Sequence, residues 1–205
     1  MALSKIDAVN FLTGTIPSGN VANATLNAVT ALPGAIDVGS LIKLSSQTGT
    51  SVASVEVGSS IITSTYSRYR IYLSGKVATD NVEPRAQNLI DGTPNTGNCA
   101  HSYENLGQGP GSGSTGYYQF SHYESIGNNT NESFELVLDY LDPTSTTLAT
   151  TCIYLTRYAN TGDSNRGEVG VARRNDGTQA HNGIKFYLSS GDFAEVQLQV
   201  YGVTK

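Results

Sequence analysis

The chain has 205 residues, of which 38% are hydrophobic and only 14% are charged, with a net charge of −5. Its length predicts one domain, or one domain with an appendage. The basic face that nucleic-acid binding requires is missing, since the only basic doublet is Arg173-Arg174. No apolar run reaches the roughly 18–20 residues that span a bilayer, and no secretory signal is visible. We therefore expect neither a nucleic-acid nor a membrane partner.

The first 57 residues differ in composition from the remainder. Gly and Pro interrupt them too often for a long helix, and their apolar side chains are too sparse for a separate core. We predict that residues 1–57 form an extended arm for anchoring and oligomerisation, with its aliphatic side chains buried against other molecules. A disordered linker is the alternative. The predicted contact residues are Phe11, Ile16, Val21, Leu26, Leu32 and Ile36.

Residues 58–205 are predicted to form a β-sandwich. Tyr69, Ile71 and Leu73 alternate with polar residues in a strand that Gly75 is expected to end. Residues 84–90 predict an edge strand. The five glycines of residues 105–116 predict a flexible exposed loop.

The central part of the chain continues the alternation. Residues 132–141 place Phe134, Leu136, Leu138 and Tyr140 on one face, and Asp142-Pro143 ends the strand. A second polar loop is expected over residues 126–131. In residues 149–158, Ile153 and Leu155 alternate with Cys152, Tyr154 and Thr156.

The C-terminal stretch is the strongest signal in the sequence. Residues 182–203 alternate on both sides of the turn Ser190-Gly191-Asp192, which predicts a β-hairpin with one face buried. A shorter strand over residues 168–173 precedes it. With no convincing helix, the count favours an all-β fold: a jelly-roll-like antiparallel β-sandwich of about eight strands with an extended N-terminal arm.

Several stretches together resemble a known family. They are TYSRYRIYLSG (65–75), PRAQNLIDGT (84–93), FELVLDYLDP (134–143) and the closing NGIKFYLSSGDFAEVQLQVYGV (182–203). These four stretches resemble the β-sandwich domains of virion surface proteins of tailed bacteriophages. Residues 12–33 resemble the Gly- and Pro-punctuated, trimer-forming stretches of phage fibres.

The resemblance implies a non-enzymatic virion structural protein, a homotrimeric capsid decoration or cement (head-fibre) protein. It would be made in the bacterial host cytoplasm and lie on the virion surface, with the major capsid protein or another virion protein as its partner. The alternative is a tail-fibre or receptor-binding protein that recognises host surface glycans.

A search for chemistry in the sequence finds no catalytic motif. Cys99 and His101 have no matching second pair of ligands, so we expect no metal and no cofactor. Glu135 and Asp139 share a strand face and are read as solvated, rather than as a glycosidase pair. Cys99 and Cys152 are expected to stay reduced, with a disulfide as the alternative.

Tyrosines are the remaining candidates for binding. They flank the two predicted loops, where an exposed Tyr can stack on a sugar or a protein partner while its hydroxyl bonds to water. The alternative places them in the core or on the sheet surface, since Tyr has high β propensity. The predicted loop contacts are Tyr103, Tyr117, Tyr118 and Tyr123.

Overall fold

The computed structural model describes residues 41–106, 108–122, 124–175 and 177–203. All of their regular structure is β-strand. None of these residues belongs to a helix with the length and apolarity to cross a membrane. The predicted contacts at Phe11, Ile16, Val21, Leu26, Leu32, Ile36 and Tyr123 lie outside the described residues. The strands are β1 (Leu41–Val52), β2 (Ser54–Val57), β3 (Arg68–Val77), β4 (Pro84–Ile90), β5 (Thr93–Pro94), β6 (Cys99–Asn105), β7 (Gly109–Thr115), β8 (Tyr118–Gln119), β9 (Phe134–Leu141), β10 (Thr151–Ala159), β11 (Asn165–Arg174), β12 (Gly183–Leu188) and β13 (Phe193–Val203).

The strands form two sheets whose neighbours are all antiparallel. The larger sheet has eight strands in the order β1-β13-β3-β9-β10-β11-β6-β7. The smaller has the order β2-β12-β4-β5, and β8 also pairs with β4. The predicted all-β antiparallel sandwich is confirmed, although the expected eight strands are matched by the larger sheet alone.

The core lies between the inner faces of the two sheets, where the sequence alternation places it. Tyr69, Ile71 and Leu73 of β3 are buried, as are the four apolar residues predicted on β9. Ile184 and Phe186 of β12 face them from the smaller sheet. Fully burying a side chain of this size is worth about 1.5–3 kcal/mol, so this contact is the main source of stability.

The sandwich begins earlier in the chain than we predicted. Strand β1 pairs with β13 from Leu41 to Val52, and β2 pairs with β12. The predicted boundary at residue 57 is therefore corrected, since residues 41–57 belong to the two sheets. Strand β1 can form with few apolar side chains because it lies at the edge of the larger sheet. Its polar side chains stay in water there, and its backbone hydrogen bonds to β13 hold it in place.

The glycine-rich segment is a strand, and the prediction of a loop over residues 105–116 is wrong. Strand β7 pairs with β6 along its whole length. A Cβ at Gly111 would lie 2.4 Å from the Tyr103 ring, and one at Gly113 would lie 2.6 Å from His101 Nε2. The glycines therefore make room for two large side chains of β6.

Two smaller expectations are also corrected. Strand β3 does not end at Gly75 but continues to Val77. At Gly75 the backbone of β13 comes so close that a Cβ would lie 2.2 Å from the Glu195 carbonyl oxygen. The glycine is therefore explained by this close approach and not by a strand end. Strand β4 is not an edge strand. It pairs with β12 on one side and with the short strands β5 and β8 on the other.

Candidate functional site

The outer face of the eight-stranded sheet carries the side chains that alternate with the core residues. Antiparallel register places these side chains in rows across the sheet. One row runs through Gln199, Tyr72, Val137, Leu155 and Val169. The next runs through Tyr201, Arg70, Asp139, Ile153 and Val171.

Four aliphatic side chains form a contiguous block on β10 and β11. Ile153 lies opposite Val171, and Leu155 lies opposite Val169. Their exposed fractions are 46%, 41%, 50% and 43%, in that order. We call these four residues the aliphatic patch. Single exposed hydrophobic residues are ordinary, whereas a contiguous group is a candidate surface for contact with another molecule.

The other face of β10 explains why the patch points outward. Cys152, Tyr154 and Thr156 are fully buried between the sheets. Because successive side chains of a strand alternate, Ile153 and Leu155 must then face outward. The strand is thus suited to burial on both faces, although the residues that the structure describes cover only one of them.

A strip of charged side chains lies beside the patch, on β3, β9 and β10. Arg70 donates two hydrogen bonds to the Asp139 carboxylate at 2.8 and 2.9 Å, and Arg68 donates a third. Partial burial works to raise the pKa of Asp139, but the bonds from Arg70 and Arg68 outweigh it and lower that pKa. Arg157 contacts Glu135 at 3.3 Å. Each carboxylate of the pair considered from the sequence is therefore engaged by arginine.

The third part of the face, on β1, β13 and β3, is rich in hydroxyl and amide groups. A shallow furrow of about 410 Å³ crosses these strands, and a smaller one of about 170 Å³ adjoins it at Tyr72. The two furrows share Ser74 and Gln197. We call this region the hydroxyl–amide furrow. It is lined chiefly by Thr48, Thr50, Tyr72, Ser74, Gln197 and Gln199.

Two tyrosines stand at the end of the furrow. The Tyr72 and Tyr201 rings meet edge to face, with centroids 5.7 Å apart and planes at 88°. The Tyr201 hydroxyl donates to Gln199 Oε1 at 3.0 Å, which fixes the ring. Neither tyrosine was singled out from the sequence. Their position in the outward register of β3 and β13 is the signal that identifies them.

Three of the four tyrosines predicted as loop contacts are described by the structure, and these three do not come together. Tyr118 is fully buried and its hydroxyl accepts a hydrogen bond from Asn88, so it is a core residue and the prediction of an exposed contact is wrong. Tyr103 is half-buried, and Tyr117 lies under the Arg85 guanidinium at 4.1 Å. The structure therefore does not assemble a single site from these residues.

A buried polar cluster lies beneath β6 and β11. The Glu168 carboxylate accepts hydrogen bonds from the His122 backbone N–H at 2.9 Å and the Tyr154 hydroxyl at 2.7 Å, and it also contacts His122 Nδ1. Burial works to raise the pKa of Glu168, but bonding to His122 outweighs it and lowers that pKa. Burial lowers the pKa of His101, and the nearby His122 lowers it further. These contacts tie the segment before residue 123 to the sheet.

The cluster contains residue types that bind metal ions, namely His101, His122 and Glu168, but they are not arranged to hold an ion. Over the described ranges, no group of three or more His, Cys, Asp or Glu residues is placed to hold a metal ion. Cys99 and Cys152 are both buried as thiols. Burial raises the pKa of Cys152 well above its usual value, which keeps that thiol protonated.

Comparison with known proteins gives no further guide to function, because no family model, curated protein or solved structure matches the chain.

Proposed function

We propose that this protein is a non-enzymatic structural protein of a bacteriophage particle, a homotrimeric capsid decoration or cement (head-fibre) protein on the virion surface. The observation that carries the proposal is the aliphatic patch. Four branched aliphatic side chains lie together on the exposed face of a sheet, without a charged residue among them. Such a surface favours association with another protein over catalysis.

The occupant that we propose for the patch is a second copy of the same chain. Most soluble oligomers are symmetric assemblies of identical chains. Three copies that turn the β10–β11 part of this face toward a common axis would bring equivalent patches together and remove them from water. The neighbouring charged strip carries both signs and is already paired within each copy, so it would not repel its counterparts.

The N-terminal segment completes the proposal, because its residues 12–33 resemble the Gly- and Pro-punctuated, trimer-forming stretches of phage fibres. We propose that this segment contacts the major capsid protein or another virion protein. Several weak contacts per trimer would act together through multivalency. Decoration of this kind would stabilise the particle surface.

The receptor-binding alternative placed host glycans on residues 104–116 and 126–131. It has less support, because residues 109–115 form a paired strand and Tyr118 lies in the core. Of the remaining predicted loop tyrosines, the two that the structure describes are engaged within the chain: Tyr103 stacks on His122 and Tyr117 lies under the Arg85 guanidinium.

The test of self-association is the sedimentation mass of the full chain and of the variant Leu155→Ser/Val169→Ser. A trimer has three times the chain mass of 21.6 kDa, or about 65 kDa. Completing the burial of each patch side chain is worth about 0.6–1.5 kcal/mol. The double variant should therefore weaken association by about 1–3 kcal/mol per copy, which is about 5- to 150-fold.

The matched control is Leu148→Ser, which changes an equally exposed leucine outside the patch. It should sediment like the wild type. Because the changed side chains are exposed, all variants should keep the melting behaviour of the sandwich itself. A wild-type chain that stays monomeric, or a double variant with the same mass as the control, would refute the proposal.

A further inference from the structure

The hydroxyl–amide furrow carries the groups that a carbohydrate ligand requires, and we propose that it binds a neutral oligosaccharide. This function goes beyond assembly and uses a different part of the sheet.

The lining of the furrow matches the chemistry of a sugar. A sugar offers hydroxyl groups, which both donate and accept hydrogen bonds, and C–H faces, which are apolar. The amides of Gln197 and Gln199 also donate and accept, as do the hydroxyls of Thr48 and Ser74. Tyr72, at 37% exposure, supplies an aromatic surface for a C–H face.

The aromatic end of the furrow is held in place before any ligand arrives. Tyr201 supports Tyr72 edge to face, and its hydroxyl is bound by Gln199 Oε1. Because that bond uses only the amide oxygen of Gln199, the amide nitrogen remains able to donate a hydrogen bond to a ligand. Since side chains that are already ordered lose less entropy on binding, this arrangement favours affinity.

The size of the furrow suits an oligosaccharide. It crosses β1, β13 and β3, whose axes are separated by about 4.7–4.9 Å, so its length is roughly 10 Å or more. Its volume of about 410 Å³, with about 170 Å³ beside Tyr72, falls within the usual range for small-ligand sites.

Charge decides which class of sugar fits. The central lining residues are uncharged, and the charged residue that lines the larger furrow is Glu195. Two neighbouring cations are engaged elsewhere, since Lys76, opposite Glu195, donates to the Thr130 carbonyl oxygen at 3.1 Å, and Arg70, opposite Tyr201, donates to Asp139. An acidic sugar would therefore meet the Glu195 carboxylate without either of these cations free to compensate. The geometry therefore favours a neutral glycan over an anionic one.

The experiment is affinity electrophoresis of the full chain in native gels that contain a polysaccharide. The neutral probes are dextran, laminarin and galactomannan, and the anionic probe is dextran sulfate, which shares the dextran backbone. We expect at least one neutral probe to retard the protein and dextran sulfate not to do so. Failure of all three neutral probes, or retardation by dextran sulfate alone, would overturn the proposal.

Two variants locate the binding. Tyr72→Ala should weaken retardation at least about tenfold, equivalent to about 1.4 kcal/mol. Gln199→Ala should weaken it while the Tyr72 ring is kept. Retardation that survives both changes would overturn the assignment to the furrow. Leu148→Ser, outside both the patch and the furrow, should leave retardation unchanged. Tyr72→Ala and Gln199→Ala leave the aliphatic patch intact and should keep the sedimentation mass of the wild type, so failure of the assembly proposal and failure of this one are distinguishable.

Discussion

Removal of the Tyr140 hydroxyl tests how the core is held together. This hydroxyl is buried, donates to Asn88 Oδ1 at 2.8 Å and lies 3.3 Å from the Gly183 carbonyl oxygen. The Asn88 amide in turn donates to the Tyr118 hydroxyl at 2.9 Å. Burial raises the pKa of Tyr140 well above its usual value, so the hydroxyl retains the proton that it donates.

The variant Tyr140→Phe would leave the buried Asn88 Oδ1 without its donor. Leaving one buried polar atom unsatisfied costs about 1–3 kcal/mol. For a domain of this size, each kcal/mol lowers the melting temperature by about 2–4 °C, so we expect a fall of about 2–12 °C.

The assay is thermal unfolding followed by calorimetry, with all proteins at one concentration because oligomers melt in a concentration-dependent way. The matched control is Tyr72→Phe, whose hydroxyl lies on the outer face. The control should change stability by less than about 0.5 kcal/mol. If Tyr140→Phe and the control have the same melting temperature, the buried hydrogen-bonded network does not contribute to stability as described.

Two further predictions concern the strands near the buried cluster. Bonding to His122 lowers the pKa of Glu168 in the folded state, so this carboxylate contributes stability above its unfolded pKa and loses it as pH falls through the folded pKa. Urea unfolding from pH 7 to pH 3 should show this loss in the wild type. The variant Glu168→Gln should have a lower free energy of unfolding at pH 7, and that free energy should depend less on pH. Equal acid sensitivity in both proteins would contradict the reasoning. Gly111→Val should destabilise the fold by about 1–3 kcal/mol, because its Cβ would meet the Tyr103 ring. Gly58→Val, where a Cβ meets nothing within 4 Å, is its control, and equal unfolding midpoints would count against the packing of β6 on β7.

Period-two alternation was sufficient to predict the central strands. β3, β9 and the hairpin of β12 and β13 each carry one apolar and one polar face, and each buries the face that the sequence indicates. A strand with two different faces carries its own orientation, so no knowledge of its neighbours is needed.

The edge strands could not be predicted in the same way. Strand β7 has a composition typical of a loop, and its glycines become intelligible only when Tyr103 and His101 of β6 are seen to lie over them. Strand β1 has few bulky residues and is held largely by pairing with β13. Pairing with a distant segment is non-local information, which composition does not contain.

The candidate site was missed for a related reason. The sequence from Thr151 to Ala159 has large side chains on both faces, which is typical of a strand covered on both sides. That signal identifies β10 as unusual, but the patch arises only because register aligns Ile153 with Val171 and Leu155 with Val169. The furrow likewise combines residues from three strands that are far apart in sequence.

Solvent accessibility within the aliphatic patch tests the account most directly. The variant Val171→Cys places a thiol there, while the native Cys99 and Cys152 are buried and should react slowly with a polar thiol reagent. Ser59→Cys, in an exposed turn, is the control. We predict that the thiol at 171 reacts at least about tenfold more slowly than the control in concentrated protein, and that dilution to the monomer removes the difference. Equal rates for the two introduced thiols at every concentration would contradict the claim that the aliphatic patch is an assembly surface.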